Sequence, residues 1–181
     1  QFEQEHHVAE VLQQALLAEE LPRVEGLELA ALYQPSGESE VGGDFYSAWP
    51  LADGRLAILV GDVSGKGVEA AGLTAMVRYM AEALSQHRPE PAELVQELND
   101  LLCVRMSEGT LVTLVLAVVD ASRDRLVWCS AGHPPPVLLT ADGGLRTLRL
   151  GRRHPVGFGI DQVDRAGIVL GKIVHDISNR S

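Results

Sequence analysis

Residues 43–63 read GDFYSAWPLADGRLAILVGDV, and this stretch decides the fold of the chain. Two apolar runs flank an Asp-Gly pair at 53–54. Such a pair predicts a hairpin, because glycine readily adopts the positive φ that tight turns require. If the two runs pair antiparallel, Asp44 at the start of the first strand lies opposite Asp62 at the end of the second. The sequence therefore predicts two carboxylates side by side at one edge of a sheet.

Helical periodicity follows the hairpin twice. Large apolar residues recur at spacings of three and four over 73–84, and again over 94–102 after Pro91, a residue favoured at the first helical position. A further strand is predicted earlier in the chain, over 27–33. Four strand-like segments come after the helices, at 110–120, 125–131, 137–140 and 145–150. Short turns between strands favour antiparallel pairing, so this order indicates an α+β fold.

Composition excludes several classes of protein. The 181 residues carry 15 Lys and Arg against 25 Asp and Glu, a net charge of −10, which argues against binding to nucleic acid. The longest apolar stretch, 111–119, is far too short to span a membrane. Two cysteines supply neither a disulfide framework nor a zinc cluster, so we expect a reducing, cytoplasmic location.

The N-terminal segment is predicted to be separate from the domain that follows. Apolar residues fall on one face of a helix over 1–20, and Pro22 ends it. Two alternatives stay open: the helix docks on the domain at 21–181, or it pairs with a second copy to form a homodimer. The chain starts without Met or a signal sequence, so we expect a piece of a longer protein.

The stretch GDVSGKG at 61–67 resembles two known motifs but matches neither. Its glycine spacing is one residue too short for a phosphate-binding loop, and Ser64 lacks the glycine of a nucleophile elbow. Carboxylates beside glycines, with no His or Cys nearby, suit Mg²⁺ or Mn²⁺ better than zinc. The alternative is that Asp62 caps the next helix and Asp44 closes a turn.

Several blocks in order carry a family resemblance. They are LPRVEGLELAALYQPSGESEVGGDFY (21–46), DGRLAILVGDVSGKGVEAAGLTAMV (53–77), ELVQELNDLL (93–102), TLVTLVLAVVD (110–120) and WCSAGHPPPVLL (128–139). In these blocks the sequence resembles the metal-dependent, protein phosphatase 2C-like serine/threonine phosphatases, most closely the bacterial SpoIIE/RsbU branch. The resemblance covers about 21–159 and fades after Gly159.

This resemblance implies an α-β-β-α sandwich of two antiparallel sheets flanked by helices, with two Mn²⁺ or Mg²⁺ ions at one end. Asp44 matches the first metal-binding aspartate, and Asp62 matches the aspartate that bridges both ions. The backbone carbonyl of Val63 corresponds to a further ligand. The implied activity is removal of phosphate from phosphoserine or phosphothreonine by a metal-held water. The usual substrate in this branch is a phosphorylated anti-anti-sigma factor in a signalling pathway that regulates a sigma factor.

The sequence departs from this family after Gly159. Members supply two further metal aspartates, in an apolar-Thr/Ser-Asp-Gly block and near the C-terminus, and neither block is recognisable here. The C-terminal part of the family fold is therefore expected to be missing. Asp142 lies in a superficially similar Thr-Ala-Asp-Gly sequence, but its place after AGHPPPVLL predicts a turn. Three later aspartates also lie outside any such block, namely Asp161, Asp164 and Asp176.

Two carboxylates supply only two negative charges for two dications, which leaves a second hypothesis open. The chain could be a catalytically inactive phosphatase-like fold that binds a phosphoprotein or another partner. His133 in AGHPPP is expected to pack or to stabilise the turn, with proximity to the metal edge left open. Lys66 could meet a substrate phosphate, although a solvated lysine at a helix start is the expectation.

Overall fold

The computed structural model describes residues 20–33, 43–106, 110–140, 142–148, 157–162 and 167–169. In chain order, its elements are β1 (Asp44–Pro50), β2 (Leu56–Val63), α1 (Val68–Ser85), α2 (Pro91–Cys103), β3 (Val112–Asp120), a 3₁₀ turn (Ala121–Arg123), β4 (Arg125–Ala131), β5 (Val137–Leu139), β6 (Leu145–Thr147), β7 (Gly157–Gln162) and β8 (Gly167–Val169).

These strands form two antiparallel sheets. The larger sheet has the order β1-β2-β3-β4-β7, and the smaller has the order β6-β5-β8. The predicted hairpin joins β1 to β2: Gly54 has φ 84°, and its N–H donates to the Leu51 carbonyl at 3.0 Å. The α+β class and the two antiparallel sheets are thus confirmed.

One face of the five-stranded sheet is covered by α1 and α2. Alternate residues of β1 point toward these helices, and Phe45 and Trp49 are buried there. The apolar stripes of both helices pack against this face, with Val77 and Leu98 among the most buried residues. The Trp49 indole N–H donates to Ser85 Oγ at 2.8 Å, which fixes the end of α1 over β1.

The other face of the five-stranded sheet packs against the smaller sheet. Leu56 and Trp128 are fully buried on this face and contact Leu138 of β5 and Leu148 just after β6. The described residues therefore build three layers: helices, a large sheet and a small sheet. Neither described helix has the length and apolar composition that crossing a membrane requires.

Three parts of the chain differ from the sequence prediction, one of them the short strand β8, which was not predicted. The strand predicted over 27–33 is wrong, because these residues are not in a strand, and their only pairing with other described residues is an isolated bridge between Val24 and Leu27. Strand β7 was not predicted, because its sequence GFGIDQ contains two glycines, which are depleted in strands. Apart from Glu20, the predicted N-terminal helix lies outside the described residues.

Candidate metal centre

Asp44 and Asp62 lie directly opposite each other on neighbouring strands. The Val63 N–H donates to the Gly43 carbonyl at 3.0 Å, which makes Gly43 and Val63 a hydrogen-bonded pair. The next pair along the ladder, Asp44 and Asp62, is therefore of the non-hydrogen-bonded type, in which side chains approach more closely. The hairpin thus brings both predicted carboxylates together.

Both carboxylates lie on the face of the sheet that is turned away from the helices. Phe45 and Val63, their neighbours in the chain, point into the helix-covered core, and side chains alternate along a strand. Asp44 and Asp62 are each half-buried. The Val63 side chain is buried in the core and carries no ligand atom, so the backbone carbonyl is the group of this residue that could bind a metal.

The alternative roles of the two aspartates do not fit the structure. Helix α1 begins at Val68, and its N-cap is Gly67, with no capping side chain. Asp62 lies within β2 and Asp44 within β1, so neither caps that helix nor forms a turn. Lys66 lies exposed in the loop between β2 and α1, at the same end of the sheet as the two carboxylates.

A third strand adds a residue that sequence analysis did not single out. Thr113 of β3 is directly opposite Asp62, on the side of β2 away from Asp44. Its Oγ1 lies 2.9 Å from Nδ1 of His133, which is only 7% exposed. A threonine followed by six apolar residues in the same strand was the available signal, but only the strand register connects it to Asp62.

The other candidate aspartates do not join this pair. The Thr140 hydroxyl donates to the Asp142 carboxylate at 2.5 Å and, with the Gly144 N–H, holds the pKa of that carboxyl below its usual value. Asp142 is therefore a turn residue, as predicted. The backbone of Asp161 lies opposite Leu126 of β4. Across the sheet, Leu126 is in register with Leu56 of β2, which is six residues along that strand from Asp62. Six strand residues span about 20 Å, too far to complete the site.

The donor set fits one divalent cation. Two opposed carboxylates supply hard oxygen ligands of the kind that Mg²⁺ and Mn²⁺ prefer. Within the described ranges, no group of three or more His, Cys, Asp or Glu side chains is arranged to hold a metal ion. Asp164 and Asp176 lie outside those ranges. A second ion therefore needs carboxylates beyond Asp44 and Asp62.

Comparison with known proteins places this chain in a family. The family model of Stage II sporulation protein E (SpoIIE) matches residues 52–171, more than half of the chain. The phosphoserine phosphatase RsbU of Bacillus subtilis is 26% identical over 135 residues, covering 75% of this chain and 39% of RsbU. The chain thus spans well under half the length of this relative.

Solved structures share the fold. The RsbU and RsbW domains of Rv1364c from Mycobacterium tuberculosis match with a TM-score of 0.61 and 28% identity, over 70% of this chain and 37% of that one. The SiaA-PP2C domain of Pseudomonas aeruginosa matches with a TM-score of 0.59 and 22% identity, over 70% of this chain and 54% of that one. The second likeness bears on the fold alone.

Proposed function

The chain belongs to the SpoIIE family, and on that premise we propose that it is a protein-serine/threonine phosphatase domain dependent on Mn²⁺ or Mg²⁺. The observation that carries this proposal is the direct opposition of Asp44 and Asp62 on one face of the sheet. These two side chains, with the backbone carbonyl of Val63, would hold the cation. The proposed domain covers residues 21–181.

Phosphate-monoester hydrolysis is among the slowest uncatalysed reactions, so large stabilisation of developing charge is needed. A bound divalent cation supplies that stabilisation and lowers the pKa of water. The role of this chain's own residues is to bind and orient the cation. Asp62 lies between Asp44 and Thr113, which are opposite it on the two neighbouring strands. No side-chain nucleophile is required.

The proposed substrate is a phosphoserine- or phosphothreonine-bearing regulatory protein of the anti-anti-sigma type. Two relatives support this proposal: RsbU is named a phosphoserine phosphatase, and Rv1364c combines RsbU and RsbW domains. We place the reaction in the cytoplasm, with no nucleic acid or membrane partner. The helix predicted over residues 1–20 would connect the domain to a regulatory region or to a second copy.

The second candidate function is a phosphatase-like fold that binds a phosphoprotein without turnover. The observation that favours it is the small donor set, since the described residues offer two carboxylates and no third metal-binding side chain beside them. Two carboxylates balance one dication, whereas a pair of dications brings four positive charges.

Calorimetric titration with Mn²⁺ and release of phosphate from a phosphoserine protein test these alternatives. We expect the chain to bind Mn²⁺ and to release phosphate, and Asp62→Asn to abolish both. Asp142→Asn is the matched control, because it removes an aspartate of the exposed turn and leaves the site intact. Binding without turnover would select the inactive fold. Phosphate release that is indifferent to chelator and to Asp62→Asn would contradict the metal-dependent activity.

A further inference from the structure

The row of side chains at this end of the sheet extends beyond the carboxylates. Asp44, Asp62 and Thr113 occupy successive strands in register, so their side chains share one face. The Thr113 hydroxyl oxygen lies 2.9 Å from His133 Nδ1, within hydrogen-bond distance. Residues from four separate segments of the chain thus follow one another across this face, and only the first two of them are proposed ligands.

His133 is held in place independently of this contact. The Ser130 hydroxyl, itself buried, donates to the His133 carbonyl at 2.8 Å. Gly132 forms a parallel bridge with Leu114, the residue after Thr113. At the far end of the segment, the Pro136 carbonyl accepts a hydrogen bond from the Leu148 N–H at 2.8 Å. A buried ring on a segment fixed at both ends is suited to setting the position of another side chain.

The chemistry of the three groups favours one direction of hydrogen bonding. An ionised carboxylate only accepts hydrogen bonds, whereas a threonine hydroxyl donates one and accepts others. If His133 carries its proton on Nδ1 and donates to Thr113 Oγ1, the threonine proton is left to point toward Asp62. Directly opposite residues have Cβ atoms about 5 Å apart, within reach of such a contact.

We propose that Thr113 and His133 are positioning residues for the cation site, in which His133 orients the Thr113 hydroxyl and that hydroxyl orients the carboxylate of Asp62. This inference rests on the proposed function, because it assigns a role toward the cation that Asp62 would hold. Hydrogen bonds to ligating carboxylates fix their orientation, and losing such a partner typically costs about 10–100-fold in metal affinity.

Mn²⁺ titrations of paired variants test this proposal. Thr113→Val keeps the shape of the side chain but removes the hydroxyl, and we expect it to weaken Mn²⁺ binding at least about tenfold. Thr113→Ser restores the hydroxyl and is expected to bind nearly as the unaltered chain does. Thr147→Val, at an exposed position on β6, is the matched control and is expected to change nothing.

A second pair of variants tests His133. His133→Asn keeps a donor near the position of Nδ1 and is expected to retain most of the affinity, whereas His133→Leu loses it. Combining His133→Leu with Thr113→Val should weaken binding no more than Thr113→Val alone, because both act through one contact. Melting temperatures in chelator, measured for every variant, separate lost cation binding from lost folding.

The possible results distinguish the proposed metal site from the proposed positioning role of Thr113 and His133. If the unaltered chain binds Mn²⁺ and Thr113→Val binds it equally well, the positioning role is overturned while the metal site stands. If Thr113→Ser loses as much affinity as Thr113→Val, the threonine acts through packing, and the proposal is again overturned. If the unaltered chain binds no Mn²⁺, the metal site and the positioning role both fall.

Discussion

Gly43 is the residue on which the approach of β1 to the end of β2 depends. A Cβ atom at this position would overlap the backbone carbonyl oxygen of Val63. That carbonyl is also the proposed third ligand, so the glycine and the ligand are linked by close contact. The neighbouring Asp44 takes its position opposite Asp62 from the same approach.

Replacing Gly43 with alanine should therefore disturb both folding and the site. We expect Gly43→Ala to lower the free energy of unfolding by about 1–3 kcal/mol, as overpacking commonly does, and to weaken Mn²⁺ binding. Chemical denaturation and calorimetry measure the two effects.

Gly72→Ala is the control, because Gly72 is exposed within α1 and a Cβ there meets no atom within 4 Å. It should raise stability by about 0.5–1 kcal/mol, since glycine is unfavourable inside a helix. A Gly43→Ala protein as stable as the unaltered chain would show that β1 can move away from Val63 without cost.

Single residues of the site were predictable where local sequence determines their position. Asp44 and Asp62 are 18 positions apart, but one turn at 53–54 fixes their pairing, so the hairpin pattern was sufficient. Thr113 comes 51 positions after Asp62, beyond two helices. Its place beside Asp62 follows from the pairing of β2 with β3, which no local pattern specifies.

At the scale of elements, α1 is attached to β1 by a buried polar contact as well as by apolar packing. Trp49 and Ser85 are 4% and 3% exposed, so the hydrogen bond between them is shielded from water. The Ser85 hydroxyl in turn donates to the Glu82 carbonyl at 2.6 Å, which fixes its direction. The last turn of the helix is thus aligned with the end of the strand.

Ser85→Ala should leave the indole N–H of Trp49 buried without its partner. We expect the free energy of unfolding to fall by about 1–3 kcal/mol, the usual cost of such an unsatisfied group. In a Trp49→Phe background the same serine change should cost much less, because no indole N–H remains. Denaturant titrations of the four proteins measure this coupling, and equal costs in both backgrounds would contradict it.

Elements with strong periodicity were predictable, and those without it were not. The leucine spacing and Pro91 identified α2, which begins at that proline. The segment at 27–33 has strand-like composition, yet among the described residues it finds no strand to pair with, and Leu32 is 92% exposed. Strand β7 is the opposite case, since it gains its conformation by pairing with β4 rather than from its own residues.

At the scale of the whole molecule, the proposed cation site would make stability depend on cations. Like charges directly opposite each other in a sheet are destabilising. A cation that binds only the folded state stabilises it, by about 2.7 kcal/mol at a concentration 100 times its dissociation constant. If the proposed site is occupied as expected, Asp44 and Asp62 lower the stability of the folded state without the cation and raise it when the cation is bound.

The effect of Asp44→Asn on the melting temperature should have opposite signs without and with the cation. In chelator we expect the variant to melt at a slightly higher temperature than the unaltered chain, because one of the opposed charges is gone. In excess Mn²⁺ the unaltered chain should melt at the higher temperature. Calorimetric melting of both proteins with EDTA and with MnCl₂ checks this, with Asp142→Asn as control. If the melting temperature of the unaltered chain is the same with and without Mn²⁺, this result would contradict a cation site.

The alternation of the β1–β2 hairpin also limits which insertions and deletions this chain can tolerate. Because side chains change face at every strand position, adding one residue between Asp44 and Pro50 would turn that aspartate toward α1, while Asp62 stayed where it is. A change of length at the tip, residues 52–54, leaves the alternation within each strand intact but can shift which residues of the two strands lie opposite each other. The hairpin must therefore keep both the alternation of its arms and the length of its turn for the two carboxylates to stay paired.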